Sequence, residues 1–508
     1  MSLCSACYLT ASTALILGLN ASPATAQTQP NILVFVLDDF GNSKVSSYAT
    51  DYTGYAGAAT YLPETRTMDE LAASGLRFSR AWASPNCSPT RGSLQTGRQP
   101  YVHGLGSPLP PGGPTPQNPE LDTNAHQMLA DSFAAAGYAT GYFGKWHLGV
   151  TDETGTSTLP TGPFTDRPHP ALAGWSRFFG TIDGDVDSYK SWDRFRWDDA
   201  LSPPAGDVIV ETTHATTKTA QAARAWITAQ PGPFLAIVSF HAPHSTAGTW
   251  AYSEVDRSMI RSPGILDCVD GNVVCFEELA TYAALVEHAD IQIQRTLEAM
   301  DPEVLANTLI FVLGDNGTPA DVQEGDFAAT AGRGKGTAYE TGLRIPLIVA
   351  DGNTFLNGSA GAITFPGTVI RAAVHVVDVY QTLHQYALGY NVVPSEGTDF
   401  TDCFTTNDLY CNRTVRQYGY GETFERDATG IPNAGEAGVR YGHDKMVARF
   451  APGDTCIDVW FYDTFADPFE VNDLGWAVGN ARRQRLEDYF EAQHAAVTSW
   501  ATGLGFCP

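Results

Sequence analysis

Positive charge is what this sequence has least of: 30 lysines and arginines stand against 56 aspartates and glutamates in 508 residues, a formal net charge of −26. Nucleic acid and anionic membrane surfaces are bound mainly through clustered lysine and arginine, so both are excluded as main partners. After residue 26 no apolar run is long enough to span a bilayer. No internal repeat and no long low-complexity tract is present, which excludes solenoid and array architectures. Residues 1–26 have an apolar core from Thr13 to Leu19 and a small-residue cleavage pattern, Ala24-Thr25-Ala26, before Gln27. They lack a basic start, yet otherwise read as an export signal, with a short buried helix as the alternative. Export places the chain in the periplasm or outside the cell.

Cysteine is sparse, and its count is informative. Of nine, Cys4 and Cys7 leave with the signal and Cys87 stands in a segment suited to chemistry. The six that remain suit three disulfides in an oxidising compartment. Short spacing suggests Cys268 with Cys275 and Cys403 with Cys411, and Cys456 with Cys507 follows by elimination.

What the chain has in abundance is apolar runs that end in polar residues. Asn31 to Leu37 reads as a strand buried on both faces and ends in Asp38-Asp39. A helix from Thr67, with a capping box over Thr67-Met68-Asp69-Glu70, stops at Gly75. Further helices are expected across Met128 to Ala136, Thr216 to Ala229, Phe276 to Met300 and Asp378 to Leu388. Strands are expected at Tyr138 to Phe143, Phe234 to Phe240, Leu309 to Leu313 and Ile345 to Ala350. Residues 151–204 are rich in turn formers. This alternation predicts an α/β fold, a large doubly wound, mostly parallel sheet over residues 27–393. Beyond Pro394 the pattern changes to short antiparallel candidates, Thr414 to Gly421, Val439 to Phe450 and Val459 to Tyr462, then a helix near Arg482 to Thr502. That predicts a smaller α+β domain over 394–508.

Ligands in open α/β sheets bind beyond the carboxyl ends of the strands, so these strand ends should converge. Asp38, Asp39, Asp315 and Asn316 offer only hard oxygens, the chemistry of Ca²⁺ or Mg²⁺. Taken alone, an Asp-Asp after a strand is more often a turn or cap. The segment Cys87-Ser88-Pro89-Thr90-Arg91, with Pro89 in a first helical turn, puts Cys87 at the positive end of a helix with Arg91 one turn on. Such a place favours a small oxyanion.

Cys-x-Pro-x-Arg followed by Thr96-Gly97-Arg98 resembles the signature of the type I sulfatases, of the alkaline phosphatase superfamily. Further similar segments recur in order, Gly144-Lys145-Trp146-His147, Asp315-Asn316-Gly317, Tyr339-Glu340-Thr341-Gly342-Leu343-Arg344 and Asp467 to Leu474. Gly314 and Thr341 depart from residues frequent in that family. The resemblance implies a sulfuric ester hydrolase in which Cys87 becomes formylglycine through a formylglycine-generating enzyme. It implies Ca²⁺, with Mg²⁺ second, held by Asp38, Asp39, Asp315, Asn316 and the modified Cys87. Arg91, Lys145, His147, His244 and Lys335 match the family's anion-binding and acid–base positions. One hydroxyl of the hydrated aldehyde would attack sulfur, His244 or Lys335 would protonate the leaving alcohol, and His147 would act as the base that expels sulfate. His241 is read as structural. The substrate expected is a sulfated small molecule or oligosaccharide. Tyr189, Trp192, Arg194 and Trp197 are read as groups that stack on and hydrogen-bond its sugar, with an aromatic cluster simply packed under a loop as the alternative. The alternatives are an aryl or alkyl sulfatase, a phosphonate or phosphate-ester hydrolase of the same superfamily, and a non-catalytic sulfated-glycan-binding protein with Cys87 unmodified.

Overall fold

A computed structural model describes residues 29–49, 51–52, 60–156, 162–325, 332–411, 418–428, 432–452, 454, 456–475, 479–495 and 506–507. The export signal, with Cys4 and Cys7, lies outside the described residues. The described strands are β1 (Asn31–Leu37), β2 (Leu76–Phe78), β3 (Ala81–Trp82), β4 (Ala139–Lys145), β5 (Gly162–Phe164), β6 (Arg177–Thr181), β7 (Trp192–Asp198), β8 (Ala205–Glu211), β9 (Phe234–Phe240), β10 (Thr308–Gly314), β11 (Leu347–Asp351), β12 (Thr368–Ile370), β13 (Val374–His375), β14 (Tyr418–Arg426), β15 (Pro432–Tyr441), β16 (Asp444–Phe450) and β17 (Asp458–Asp463).

Eleven of them form one sheet in the order β12-β2-β11-β10-β1-β9-β4-β6-β7-β8-β5. Its centre, β10-β1-β9-β4-β6, is parallel throughout. Antiparallel pairings extend it on both flanks, through β11 on one side and β7, β8 and β5 on the other. The period of two along β1 divides the core. Ile32, Val34 and Val36 face one cluster, with Leu94, Leu129 and Leu383 from the helices Cys87–Thr96, Leu129–Ala135 and Val376–Leu388. Leu33, Phe35 and Leu37 face the other, with Leu71, Ala220 and Leu285 from Arg66–Ser74, Ala215–Ile227 and Glu277–Glu298. Strands buried on both faces need continuous apolar runs, which is why the central ones were plain in the sequence.

The four strands β14-β15-β16-β17 make a separate antiparallel sheet. The helix Asn480–Ala495 covers it, with Leu486 and Phe490 on Val439, Met446 and Phe461. All three expected disulfides are present, Cys268–Cys275, Cys403–Cys411 and Cys456–Cys507. Cys403 and Cys411, with Phe400 and Phe404, pack into the core of the large sheet.

Four details differ from expectation. Val439 to Phe450 is a hairpin and not one strand, because Gly442 takes φ 62° and reverses the chain between β15 and β16. Residues 151–204 hold β5, β6 and β7: β5 is three residues that include Gly162 and Pro163, and charged residues interrupt the apolar pattern of β7. The helix expected from Thr67 starts at Arg66, and Thr67 does not cap it. Instead the Asp290 carboxylate accepts from the amides of Thr67 (3.0 Å) and Met68 (2.9 Å). Finally, Tyr189, Trp192 and Trp197 are fully packed, with Tyr189 Oη donating to the His244 carbonyl and Trp192 Nε1 to that of Thr213. Arg194 is buried on Asp207. That group is core and not a sugar platform.

Candidate active site

The carboxyl ends of β1, β10, β4 and β9 open on one point, and each carries its polar residues there. Asp38 and Asp39 follow β1; Asp39 takes φ 60°, a turn that aims consecutive carboxylates into one site. Asp315 and Asn316 follow β10, and their side chains knit the two strand ends. Asp315 Oδ1 accepts from the Asp39 amide at 3.0 Å, and Asn316 Nδ2 donates to Asp39 Oδ1 at 2.8 Å. The departure at Gly314 has a steric cause: a Cβ there would lie 2.0 Å from the Phe40 carbonyl oxygen.

Cys87 is the first residue of the Cys87–Thr96 helix, whose N-cap Asn86 is extended and makes no side-chain cap bond. No side chain of the N-cap residue closes that helix start, and Cys87 itself lines a pocket. Burial pushes the Cys87 thiol up, against the pull of Lys145 and Lys335. Arg91, one turn on, is buried and fully engaged. Its Nε and Nη2 donate to Asp315 Oδ2 at 3.0 and 2.7 Å, and its Nη1 donates to the Lys145 carbonyl at 2.8 Å and Ser239 Oγ at 2.6 Å.

Lys145, at the end of β4, reaches Asp38 Oδ2 at 2.5 Å, and Lys335 sits 2.7 Å from Asp39 Oδ1. Burial disfavours both charges, but the carboxylates win and hold both ammonium groups above their usual range. His147 takes φ 56° and pairs its Nε2 with the Leu109 carbonyl at 2.9 Å. A carbonyl only accepts, so Nε2 carries the proton and Nδ1, buried and unpartnered, is left with its lone pair. Burial and then Lys145 push the His147 ring well below its ordinary value. His244 Nε2 lies 3.6 Å from Asp39 Oδ2 and 3.5 Å from Asp185 Oδ1. His241 pairs with Thr181 Oγ1 at 2.7 Å beneath the site, as a structural residue does.

Cys87, His147, His244 and Lys335 line a cavity of about 310 Å³ with Asp183 and Asp185 on its wall. All expected site residues are therefore on or directly behind one pocket. Sequence reasoning missed Ser239, the Leu109 carbonyl and Asp185. Ser239 carried a usable signal, a hydroxyl one residue before the end of an apolar strand.

The donor set can hold a hard cation. Ligand atoms of Asp38, Cys87 and Asp315 all lie within 4.8 Å of one another, as do those of Asp38, Asp39 and His244. Asp38 Oδ1 and Asn316 Oδ1 are buried with no hydrogen-bond partner. Two orphaned buried acceptors are costly unless something positive satisfies them.

Comparison with known proteins agrees with this geometry. The model of the sulfatase family matches residues 30–390. The chain belongs to the sulfatase family. Sulfatases are sulfuric ester hydrolases. Among curated relatives, a sulfatase of Formosa agariphila is 28% identical over 425 residues, 73% of this chain and 72% of that one. An ulvan-active sulfatase of the same organism is 24% identical over 477 residues, 92% of this chain and 80% of that one. Among solved structures, that of BT4656 in complex with its substrate D-glucosamine-2-N,6-O-disulfate superposes with a TM-score of 0.64 at 18% identity, over 92% of this chain and 98% of that one. Among the described residues no helix is long and apolar enough to cross a membrane.

Proposed function

We propose that this sulfatase is exported and releases inorganic sulfate from a sulfated carbohydrate, with formylglycine made from Cys87 as nucleophile and Ca²⁺ as its metal. The observation that carries the reading is the convergence of Cys87, at a helix start with no side-chain cap, with three fixed cations and two orphaned buried oxygens. Asp38, Asp39, Asp315 and Asn316 would hold the ion together with the modified Cys87, and their all-oxygen chemistry suits Ca²⁺ ahead of Mg²⁺. When bound, such an ion supplies a Lewis acid that favours an ionised hydroxyl.

The charge balance supports a sulfate ester. Asp38, Asp39 and Asp315 are already matched by Arg91, Lys145 and Lys335. A dication therefore leaves two positive charges, which a monoanionic sulfate ester and one ionised hydroxyl neutralise. A dianionic phosphate monoester would overfill the site.

The chain's own residues then divide the work. Sulfuryl transfer resembles phosphoryl transfer, so fixed cations on the transferred oxygens carry most of the catalysis, a task for Lys145, Lys335 and the helix start. Arg91 holds Asp315 and Ser239 in register and adds its charge from behind. His244 and Lys335, both on the cavity wall, are placed to protonate the departing alcohol. His147, which lines the cavity and whose Nδ1 has no protein partner, would take the proton from the second hydroxyl so that the C–O bond to sulfate breaks and the aldehyde returns. A thiol or serine hydroxyl has no second hydroxyl to give up. The thiol of Cys87 is itself held protonated by burial, so it is a poor nucleophile without modification. The oxidation at Cys87 is assigned to a formylglycine-generating enzyme, and the substrate class draws on the disulfated sugar bound by BT4656.

The test is sulfate release from a panel of sulfated mono- and oligosaccharides, with the Cys87 peptide mass measured on the same preparation. Activity should rise in proportion to the converted fraction. Full activity from protein whose Cys87 is entirely unconverted overturns the mechanism. For the metal, Asp315→Asn keeps the side-chain shape; it should lose bound calcium by elemental analysis and more than 90% of turnover, roughly the loss expected of a removed charge partner. Full turnover by wild type after exhaustive chelation removes the ion from the reaction.

A further inference from the structure

A second basic cavity lies on the same carboxyl edge of the large sheet, beyond the Cys87 pocket. Its walls come from the ends of β2 and β12, the start of β11, the turn between β15 and β16, and the segment after β17. It measures about 670 Å³ and is lined by Arg80, Arg344, Arg371, Arg440 and His443. With strands about 4.8 Å apart, it sits roughly 10–15 Å along the edge from β10.

Four guanidinium groups meet here in a chain whose formal net charge is −26. Among the described residues, two of them have anionic partners. Arg344 and Arg440 share the Glu340 carboxylate at 3.8 and 3.4 Å. Of the two acidic residues on the wall, Asp51 is held by both terminal nitrogens of Arg77, and Asp467 accepts from the Asn472 amide. Arg80 has no carboxylate partner among the described residues. Its Nη2 lies 3.1 Å from Nδ1 and 3.2 Å from Nε2 of His443, a ring that burial and then Arg80 keep neutral. Burial, and then Arg440, push the Arg80 guanidinium down to about 10. Arg371 forms no ion pair among the described residues either, and it is exposed at the rim. Beside it Phe465, 77% exposed, leans edge-on against His443 at 5.0 Å.

A half-buried arginine with free donors, crowded by other arginines, is costly unless an anion completes it. Arginine forks match planar or tetrahedral oxyanions, and an exposed aromatic face beside them suits a sugar ring. We propose that this cavity is a second oxyanion-binding site that takes a sulfate or carboxylate group through Arg80 and Arg371. The oxyanion is either a free ion or a charged group on a carbohydrate chain whose sulfate ester occupies the Cys87 pocket. The second source rests on the function proposed above, and the first does not.

Equilibrium dialysis on full-length Cys87→Ala protein, which leaves ligands intact, tests it with labelled inorganic sulfate and with a sulfated hexasaccharide. The Arg80→Ser/Arg371→Ser double variant should lose at least tenfold in affinity for one bound equivalent, and Arg80→Lys should lose less. Loss with both ligands identifies a general oxyanion site. Loss with the hexasaccharide alone identifies a chain subsite. Should the double variant not fold, Arg371→Ser alone, at an exposed position, gives the same readout. Unchanged isotherms for both ligands in the variants overturn the proposal. Failure to release sulfate from any glycan, by contrast, would overturn the proposed function and leave the inorganic-sulfate isotherm as evidence on this site alone.

Discussion

At His147 a single hydrogen bond decides which ring nitrogen is free to accept a proton. Because Nε2–H donates its hydrogen bond to the Leu109 carbonyl, Nδ1 is left as an acceptor with no protein partner. The ring is kept neutral by burial first and by Lys145 next, so its base form persists as pH falls below the ordinary histidine value. The sign follows: the acid limb of kcat that belongs to His147 should lie below pH 6.5. His147→Ala should lower kcat by roughly 10²–10⁴-fold, the usual worth of a placed general base. It should still release one equivalent of alcohol per active site in a rapid-mixing burst, because the first displacement does not need Nδ1. An equal loss of burst and steady state would place His147 in the first step and not the second.

At the scale of elements, the helix Arg66–Ser74 shows how one side chain can set two structures in place. Asp290, in Glu277–Glu298, caps the start of Arg66–Ser74 through the Thr67 and Met68 amides and is ion-paired with Arg261. Asp290→Ala leaves two amides without their acceptor and the Arg261 guanidinium without its carboxylate, with the Glu64 carbonyl and Gln294 Oε1 still in reach. It should cost about 3–5 kcal/mol, the usual price of breaking a buried pair. Urea unfolding of Asp290→Ala against wild type measures this, and a loss below 1 kcal/mol would mean that water replaces the carboxylate. Such a cap cannot be read from Thr67 to Glu70, because its partner lies more than 200 residues away. The same limit explains the flank strands. β7 keeps no clean period of two: Trp192 packs into one cluster, Phe195 and Trp197 into the other, and Arg194 is buried between them, so the seven residues Trp192–Asp198 carry no pattern that separates a strand from a loop. Asp38-Asp39 and Asp315-Asn316, by contrast, were legible, because each follows an unbroken apolar run whose end must face the site. The Leu109 carbonyl was not, since a backbone group has no signature in sequence.

Across the whole molecule, the two sheets are joined by a buried charge network. Glu340, beside the start of β11, meets Arg440 of β15 and Lys445 of β16, both at 3.4 Å, and Arg344 at 3.8 Å. Glu470, after β17, accepts from the Glu340 amide and pairs with Lys445 at 2.8 Å. Burial raises the Glu340 carboxyl, but Arg440, Lys445 and Arg344 outweigh it and hold it down to about 2, against an ordinary value of 4.5. A depressed carboxyl contributes stability that is fully present above pH 4.5 and is lost as pH falls toward 2. Glu470 runs the other way: burial, which Lys445 offsets only in part, and the neighbouring Glu340 charge raise it, so it favours folding when protonated. Acidification should therefore loosen the joint through Glu340 while Glu470 resists. Glu340→Gln should lower the urea midpoint at pH 7, and between pH 5 and pH 3 its midpoint should fall less than that of wild type. A variant whose midpoint tracks wild type in parallel across that range would show that the acid sensitivity of the fold resides in other carboxylates, and that the joint between the sheets is held by packing.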